Sequence, residues 1–140
     1  EGFENIILSG HSSGGWQSIK IKAKFPELVK GVIGLNPGAG GTAKNRKDWP
    51  WWEDVRNYAL GDLSKLNAII VTHDKDKYNS PKDYSLFLNL NSVKFVNLTE
   101  SGCKKAKPAK TYHSITLTKC YADYEMKNKD IIKYLDDLFN

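Results

Sequence analysis

Residues 10–15 read GHSSGG and directly follow a short apolar run, NIILS, at residues 5–9. A continuous apolar run that ends in glycine is typical of a strand buried on both faces. The hexapeptide fits the pattern G-x-S-x-G, in which a sharp turn between a strand and a helix raises one serine above the edge of the sheet. Glycines on either side of that serine avoid steric clash in the strained turn. We therefore predict that Ser12 is a nucleophile.

The segment that follows the turn has two interpretations. Residues 19–25, IKIKAKF, alternate strictly between apolar and polar side chains, and this period alone indicates a strand. On a helix the same apolar residues would fall on two nearly opposite sides. We predict a helix, because the turn at Ser12 requires one, and we expect other elements to pack on both of its sides.

Three further apolar runs and two further helix candidates follow along the chain. The runs lie at residues 30–35, 68–72 and 93–98. One helix is predicted over residues 81–90, with proline in its first turn, and another over residues 131–139, where apolar residues recur at i, i+4 and i+7. Alternating strands and helices at this spacing are typical of βαβ units. We predict a three-layer α/β/α fold with a mainly parallel sheet.

The composition of the 140 residues is that of one globular domain and excludes several other classes of protein. Apolar residues make up 40% and charged residues 26%, which excludes a disordered or collagen-like chain. The longest aliphatic run, residues 68–71, is too short to cross a bilayer, so we expect no membrane span. The net charge of +5 is mild and acidic residues are interleaved with the basic ones, so we expect no nucleic-acid partner.

A nucleophilic serine needs a base, and the chain has three histidines. His11 lies inside the turn, where its side chain would point away from the neighbouring serine, and it is a candidate for substrate contact. His73 directly follows the run at residues 68–72, where a polar role at a strand end is expected. His113 lies on a loop before the last helix, from which an imidazole can reach back over the sheet. We predict that His113 is the base.

The carboxylate that orients the base is expected at the end of a strand between the serine and the histidine. Asp74 and Asp76 both follow the run at residues 68–72. We favour Asp76, because two additional loop residues extend its reach towards His113, and Asp74 stays the alternative acid. The backbone N–H of Ser13 is predicted to be one oxyanion donor, since free N–H groups at a helix start favour developing negative charge.

The order of Ser12, Asp76 and His113 after successive strands resembles that of the α/β hydrolases. Residues 10–16, GHSSGGW, followed by residues 35–41, LNPGAGG, look like the dienelactone-hydrolase-like branch. The resemblance runs from about residue 5 to the C-terminus, and the turn is its specific part. It implies a serine hydrolase, most simply a carboxylesterase, that cleaves a small-molecule ester or acyl substrate through an acyl-enzyme on the serine. A peptidase, an acyltransferase or a non-catalytic module of the same fold are the alternatives.

Two features depart from that branch. Its members often carry a cysteine as nucleophile, where this chain has Ser12. Its acid segment usually reads Gly-x-x-Asp, whereas His73 stands at the glycine position here. The second departure keeps the choice between Asp74 and Asp76 open.

The resemblance also implies a role for residues 42–60. In this fold family the region beyond the second strand often carries a lid or part of the substrate pocket. Trp49, Trp51 and Trp52 offer a large apolar surface there for an acyl or aromatic group. The alternative is an aromatic cluster that packs a loop onto the core.

Two cysteines flank the predicted base. Cys103 and Cys120 form either a disulfide that pins the loop of His113, which would imply an exported protein, or two buried free thiols. They have no metal-ligand spacing, and we expect no metal and no other cofactor. The localisation, cytoplasmic or exported, stays open.

The length of the chain is unusual for the family that it resembles. An α/β hydrolase is ordinarily much longer, with several strands before the nucleophile strand, whereas residues 5–9 are the first apolar run here. The resemblance implies that residues 1–140 form the C-terminal half of one α/β-hydrolase domain, truncated at its N-terminus. We expect a missing N-terminal half to complete the sheet, to cover the open edge of the first strand and to supply the second oxyanion N–H. Without that half, the chain is expected to be a weak catalyst.

Overall fold

A computed structural model describes residues 5–39, 48, 52–79, 81–104 and 111–140. The four strands of the described chain are β1 (Ile7–His11), β2 (Gly31–Leu35), β3 (Ala68–Thr72) and β4 (Val93–Asn97). Its α-helices are α1 (Ser13–Lys24), α2 (Trp52–Leu60), α3 (Lys119–Asn128) and α4 (Asp130–Phe139). The residues Pro81–Phe87 and Tyr112–Leu117 form 3₁₀ helices.

The strands form one parallel sheet in the order β1-β2-β3-β4. Ser9 lies opposite Ile33, Ile33 opposite Ile69, and Ile69 opposite Lys94, so the register is continuous across the sheet. Because all four strands run in the same direction, their carboxyl ends meet at one edge. In open α/β sheets this is the edge at which ligands bind.

The sheet is covered on both faces, which confirms the predicted three-layer α/β/α fold. Every residue of β3 is buried, and its side chains alternate between two hydrophobic cores. Ala68 and Ile70 belong to the core under α1, α2 and the first 3₁₀ helix, whereas Ile69 and Val71 belong to the core under α3 and α4. The continuous apolar run at residues 68–72 is explained by this two-sided burial.

The segment after the turn is a helix, as predicted. Trp16, Ile19 and Ala23 are buried on the side of α1 that packs against β1 and β2. On the other side, Ile21 is half-buried, whereas Phe25, the residue that caps α1, is 59% exposed. The expected burial of the second side therefore does not extend to Phe25.

Two predicted elements differ from the structure by more than one residue. β1 extends to His11, two residues beyond the predicted run, because its ladder with β2 continues until His11 pairs with Leu35. The predicted α-helix over residues 81–90 is a 3₁₀ helix with a kink at Tyr84. The hydroxyl of Tyr84 donates to the Pro37 carbonyl, and both Tyr84 and Phe87 are buried in the core. Tertiary packing thus overrides the helical propensity of the segment.

No helix in the described part of the chain combines the length and the apolar character that crossing a bilayer requires.

Candidate active site

Ser12 lies between β1 and α1 in a strained backbone conformation. Its φ is 55° and its ψ is −125°, a region that residues with side chains rarely adopt. Two hydrogen bonds hold it there, one to the last residue of β2 and one to the segment that follows β2. The Ser12 N–H donates to the Leu35 carbonyl at 3.0 Å, and the Gly38 N–H donates to the Ser12 carbonyl at 2.9 Å. The turn is the strained strand-to-helix junction that the G-x-S-x-G pattern predicts.

The glycines of the turn allow the strand and the helix to touch. A Cβ on Gly10 would lie 2.5 Å from the Gly14 carbonyl carbon and 2.6 Å from the Gly15 nitrogen. A Cβ on Gly15 would lie 2.6 Å from the Gly10 carbonyl oxygen. Backbone atoms cannot move aside as a flexible side chain can, so the pair Gly10 and Gly15 is required for the turn to form.

The Gly10→Ala variant is therefore expected to lose about 3 kcal/mol of unfolding free energy, because the added methyl group overlaps backbone atoms. The matched control is Gly14→Ala, since a Cβ on Gly14 meets nothing within 4 Å. Its unfolding free energy should stay unchanged or rise by up to about 1 kcal/mol, as a helical glycine is replaced. Urea unfolding measures both values. Equal stability of the two variants would contradict the close packing of the turn.

One imidazole contacts both the serine and an aspartate. His113 Nε2 lies 2.7 Å from Ser12 Oγ, and His113 Nδ1 lies 2.8 Å from Asp76 Oδ2. The Asp76 side chain is fully buried, and that of His113 is 10% exposed. The three residues are separated by up to 101 positions along the chain and come together at the carboxyl edge of the sheet. Each distance is that of a hydrogen bond, and a serine–imidazole–carboxylate chain of this kind can activate a hydroxyl.

The structure brings Asp76, and not Asp74, to the histidine. The Asp76 N–H donates to the His73 carbonyl at 2.9 Å, and this turn directs the Asp76 side chain back towards the sheet. Asp74 is exposed, and its Oδ1 accepts a hydrogen bond from Asn97 Nδ2 at 3.0 Å. The second oxygen of Asp76, Oδ1, accepts the N–H of Tyr78 at 2.8 Å. Both carboxylate oxygens of Asp76 are therefore held.

Two aromatic rings flank the imidazole of His113. The ring centroid of Tyr78 lies 4.6 Å from that of His113, and the ring centroid of His11 lies 5.0 Å away. His11 Nε2 also donates to the backbone carbonyl of His113 at 2.7 Å. The structure thus places the side chain of His11 against His113. The contact of His11 with substrate stays a prediction.

The segment that carries His113 is anchored from the other side of the site. Cys103 and Cys120 form a disulfide, with an S–S distance of 2.11 Å. His73 Nε2 donates to the Cys103 carbonyl at 3.3 Å, and its ring lies 4.2 Å from that of Tyr112. Burial lowers the pKa of His73, which keeps this imidazole neutral at pH 7. His73 therefore has the polar role at a strand end that the sequence indicates, and it supports the backbone next to His113.

A small cleft of about 190 Å³ opens beside the serine. It is lined by Ser12, Ser13, Gly38, Ala39, Tyr78, Asn79 and His113. A larger cavity of about 700 Å³ lies between β4 and α3 and contains none of the three hydrogen-bonded residues. The cleft is the space that the chemistry can use, because both Ser12 and His113 line it.

Part of the predicted lid lies outside the described residues. This applies to Trp49 and Trp51, and of Trp52 only the backbone, at the start of α2, is described. Within the residues that the structure describes, no group of three or more histidine, cysteine, aspartate or glutamate side chains is placed to hold a metal ion.

Sequence reasoning missed two residues at this site, Tyr78 and Asn36. Asn36 directly follows β2 and Tyr78 follows β3, so both lie at the carboxyl edge of the sheet. Their positions after strand ends could have indicated that they belong to the site. However, tyrosine and asparagine are common in loops, and these residue types alone do not indicate a role.

No family model and no curated protein matches the chain. Solved structures do match its fold, at low sequence identity. The chain has part of an α/β-hydrolase fold. One similar structure is that of MGS-MChE2, an α/β hydrolase enzyme from the metagenome of sediments from the lagoon of Mar Chica, Morocco. Its TM-score is 0.52 at 16% identity, over 96% of this chain and 64% of that one.

Two further structures share this fold. Est816, described as an N-acyl homoserine lactone degrading enzyme, has a TM-score of 0.53 at 13% identity, over 91% of this chain and 68% of its own. E-2-(acetamidomethylene)succinate hydrolase has a TM-score of 0.50 at 17% identity, over 95% of this chain and 67% of its own. The chain thus spans about two thirds of the length of each protein, and the fold that it shares is that of hydrolase enzymes.

Proposed function

We propose that this chain carries the catalytic triad of a serine hydrolase that cleaves a small ester or related acyl bond, most simply as a carboxylesterase. The observation that carries the proposal is the imidazole of His113, which contacts Ser12 Oγ at 2.7 Å and Asp76 Oδ2 at 2.8 Å at the same time. The strained backbone of Ser12 supports it, because strain of this size persists where the surrounding structure and function require it.

The proposed reaction follows from this geometry. His113 Nε2 takes the proton of the Ser12 hydroxyl as Oγ attacks the acyl carbon, and Asp76 stabilises the imidazolium that forms. The imidazolium then protonates the leaving alkoxide, and an acyl-enzyme on Ser12 results. Water attacks this intermediate with His113 again as base, which releases the acid and restores the serine.

The start of α1 supplies one group for the oxyanion. Ser13 is the first residue of α1, and the first N–H groups of a helix have no partners within the helix. The positive end of the helix dipole and the Ser13 N–H favour the negative charge that develops on the acyl oxygen. A second donor from an N-terminal half of the fold stays a prediction.

Two descriptions among the structural neighbours support this class of reaction. Est816 is described as degrading an acyl homoserine lactone, and another neighbour is described as a hydrolase. Assignment to the dienelactone-hydrolase-like branch rests on the sequence around residues 10–16 and 35–41. The Cys103–Cys120 disulfide favours an exported protein, because such bonds persist in oxidising compartments.

A fluorophosphonate probe tests the proposed function. The phosphorus of such a probe is attacked by an activated serine, fluoride leaves, and a stable adduct remains. We expect one adduct per chain, mapped to Ser12 by mass spectrometry of the proteolytic peptide. A folded protein that stays unlabelled, or one labelled equally on other serines, would contradict the proposal.

The size of the cleft predicts a preference for short acyl groups. Its volume of about 190 Å³ lies below the range of about 300–1,000 Å³ that is usual for ligand pockets. We expect kcat/KM for p-nitrophenyl acetate or butyrate to exceed that for the dodecanoate by at least about tenfold, a difference that a few methylene groups can produce. Initial rates across the ester series measure this. A rate that rises steadily with chain length would contradict it.

A further inference from the structure

Residues 35–38, which are the last residue of β2 and the three residues after it, connect the nucleophile to the acid. The Leu35 carbonyl and the Gly38 N–H bind the backbone of Ser12. Between them, Asn36 Nδ2 donates to Asp76 Oδ2 at 3.3 Å. The Asn36 backbone N–H also bonds to the Val71 carbonyl at 2.7 Å, in line with the ladder between β2 and β3. The backbone of Asn36 is thus fixed to the end of the sheet, and its side chain contacts the carboxylate of Asp76.

The oxygen that Asn36 contacts is the one that serves the base. Asp76 Oδ2 accepts from both His113 Nδ1 and Asn36 Nδ2, while Oδ1 accepts from the Tyr78 N–H. A carboxylate held on both oxygens cannot rotate about its Cβ–Cγ bond without losing a hydrogen bond. Asn36 adds a second hydrogen bond on Oδ2, and this bond further restricts the direction in which Asp76 presents Oδ2 to the imidazole.

Asn36 has two features that folding alone does not favour. Its side chain is fully buried, and its Oδ1 has no hydrogen-bond partner among the described residues. Its φ is 43°, so that two of the three described non-glycine residues with positive φ, Ser12 and Asn36, lie at this site. Turning the amide over would set Oδ1 against an oxygen of Asp76. The charge of the carboxylate thus explains why the amide faces it with Nδ2, although Oδ1 is left without a partner.

We infer that Asn36 is a positioning residue, which acts through Asp76 to orient His113 towards Ser12. The inference rests on the proposed function and deepens it, since it adds a fourth side chain to the same chain of hydrogen bonds. Asn36 lies at hydrogen-bond distance from the acid, and its effect on the reaction is expected to depend on the charge of Asp76.

A double-mutant cycle tests this dependence. The four proteins are the unaltered chain, Asn36→Gly, Asp76→Asn and the double variant. Glycine accepts the positive φ of residue 36, so this change removes the amide without adding backbone strain. We expect Asn36→Gly to lower kcat for a short p-nitrophenyl ester about tenfold with KM nearly unchanged, as for a lost hydrogen bond to a charged group. In the Asp76→Asn background the same change should alter kcat less than about twofold.

A purely structural role of Asn36 would give a different result. It would lower kcat by the same factor in both backgrounds, or change KM alone, and either outcome overturns the inference. Thermal unfolding of each variant identifies any that is not folded at the assay temperature. Asn36→Ser, with a side chain one atom shorter, is measured in parallel in both backgrounds and must show the same dependence on Asp76.

Labelling of Ser12 separates the two proposals. An unaltered chain that is not labelled overturns the proposed function and this inference together, whereas a labelled chain with an additive cycle overturns the inference alone.

Discussion

Replacing Ser12 with alanine is expected to abolish fluorophosphonate labelling and to lower kcat for ester hydrolysis by about a million-fold, to the residual rate that oxyanion stabilisation and binding supply. The change removes the oxygen that lies 2.7 Å from His113 Nε2. Stopped assays with long incubation, together with intact-protein mass after probe treatment, measure both effects. The fold should be retained, because the backbone bonds of Ser12 to Leu35 and Gly38 do not involve its hydroxyl.

The matched control is Ser13→Ala, one position along the same turn. Ser13 contributes its backbone N–H in the proposed reaction, and alanine keeps that group. Its side chain is exposed, so we expect full labelling and a rate within about threefold of the unaltered protein, the small effect usual for an exposed position. A Ser12→Ala protein that still labels, or a Ser13→Ala protein that does not, would show that the nucleophile is another residue.

The Asp76→Asn variant is expected to lose about three to four orders of magnitude in kcat, the size of loss known for serine hydrolases whose triad acid is changed to the amide. The amide nitrogen cannot accept the Nδ1 proton of His113, and the ring is then driven to the tautomer with its proton on Nε2. A protonated Nε2 cannot take the proton of Ser12. Initial rates and the rate constant of probe labelling should fall in parallel.

Asp74→Asn is the control for this prediction. Asp74 lies two positions away on the same loop, but it is exposed and bonded to Asn97. We expect its rate to change by less than about twofold, in the range usual for exposed positions. If the loss of rate were confined to Asp74→Asn, the acid of the site would be Asp74.

Local sequence was sufficient for much of the fold. The run at residues 68–71 is aliphatic throughout, and the structure places β3 at Ala68–Thr72, because a central parallel strand is buried on both faces. The turn around Ser12 was predictable for a different reason. Gly10 and Gly15 are required because backbone atoms within residues 10–15 lie too close together for a Cβ. The geometry of the turn therefore depends only on residues that are neighbours in sequence.

Other elements depend on residues that are distant in sequence. The kinked 3₁₀ helix at Pro81–Phe87 is held by the hydrogen bond from the Tyr84 hydroxyl to the Pro37 carbonyl. No local sequence pattern predicts this bond. The outward position of Phe25 likewise depends on which elements cover α1. The periodicity of apolar residues shows which faces of a helix are apolar, but it does not show which of these faces another element covers.

The site divides in the same way. The residue types and their order along the chain indicated Ser12 and His113, because a nucleophile turn has a local steric requirement and only one histidine follows the last strand. The sequence left open which of Asp74 and Asp76 contacts His113, and it did not show the contacts of Tyr78 and Asn36 with Asp76. These contacts depend on the turn at residues 73–76 and on the parallel register, which bring the ends of β1, β2 and β3 to one edge. Hydrogen bonds act over about 3 Å, so the atoms that meet across 40 or 101 positions are known only once the chain is folded.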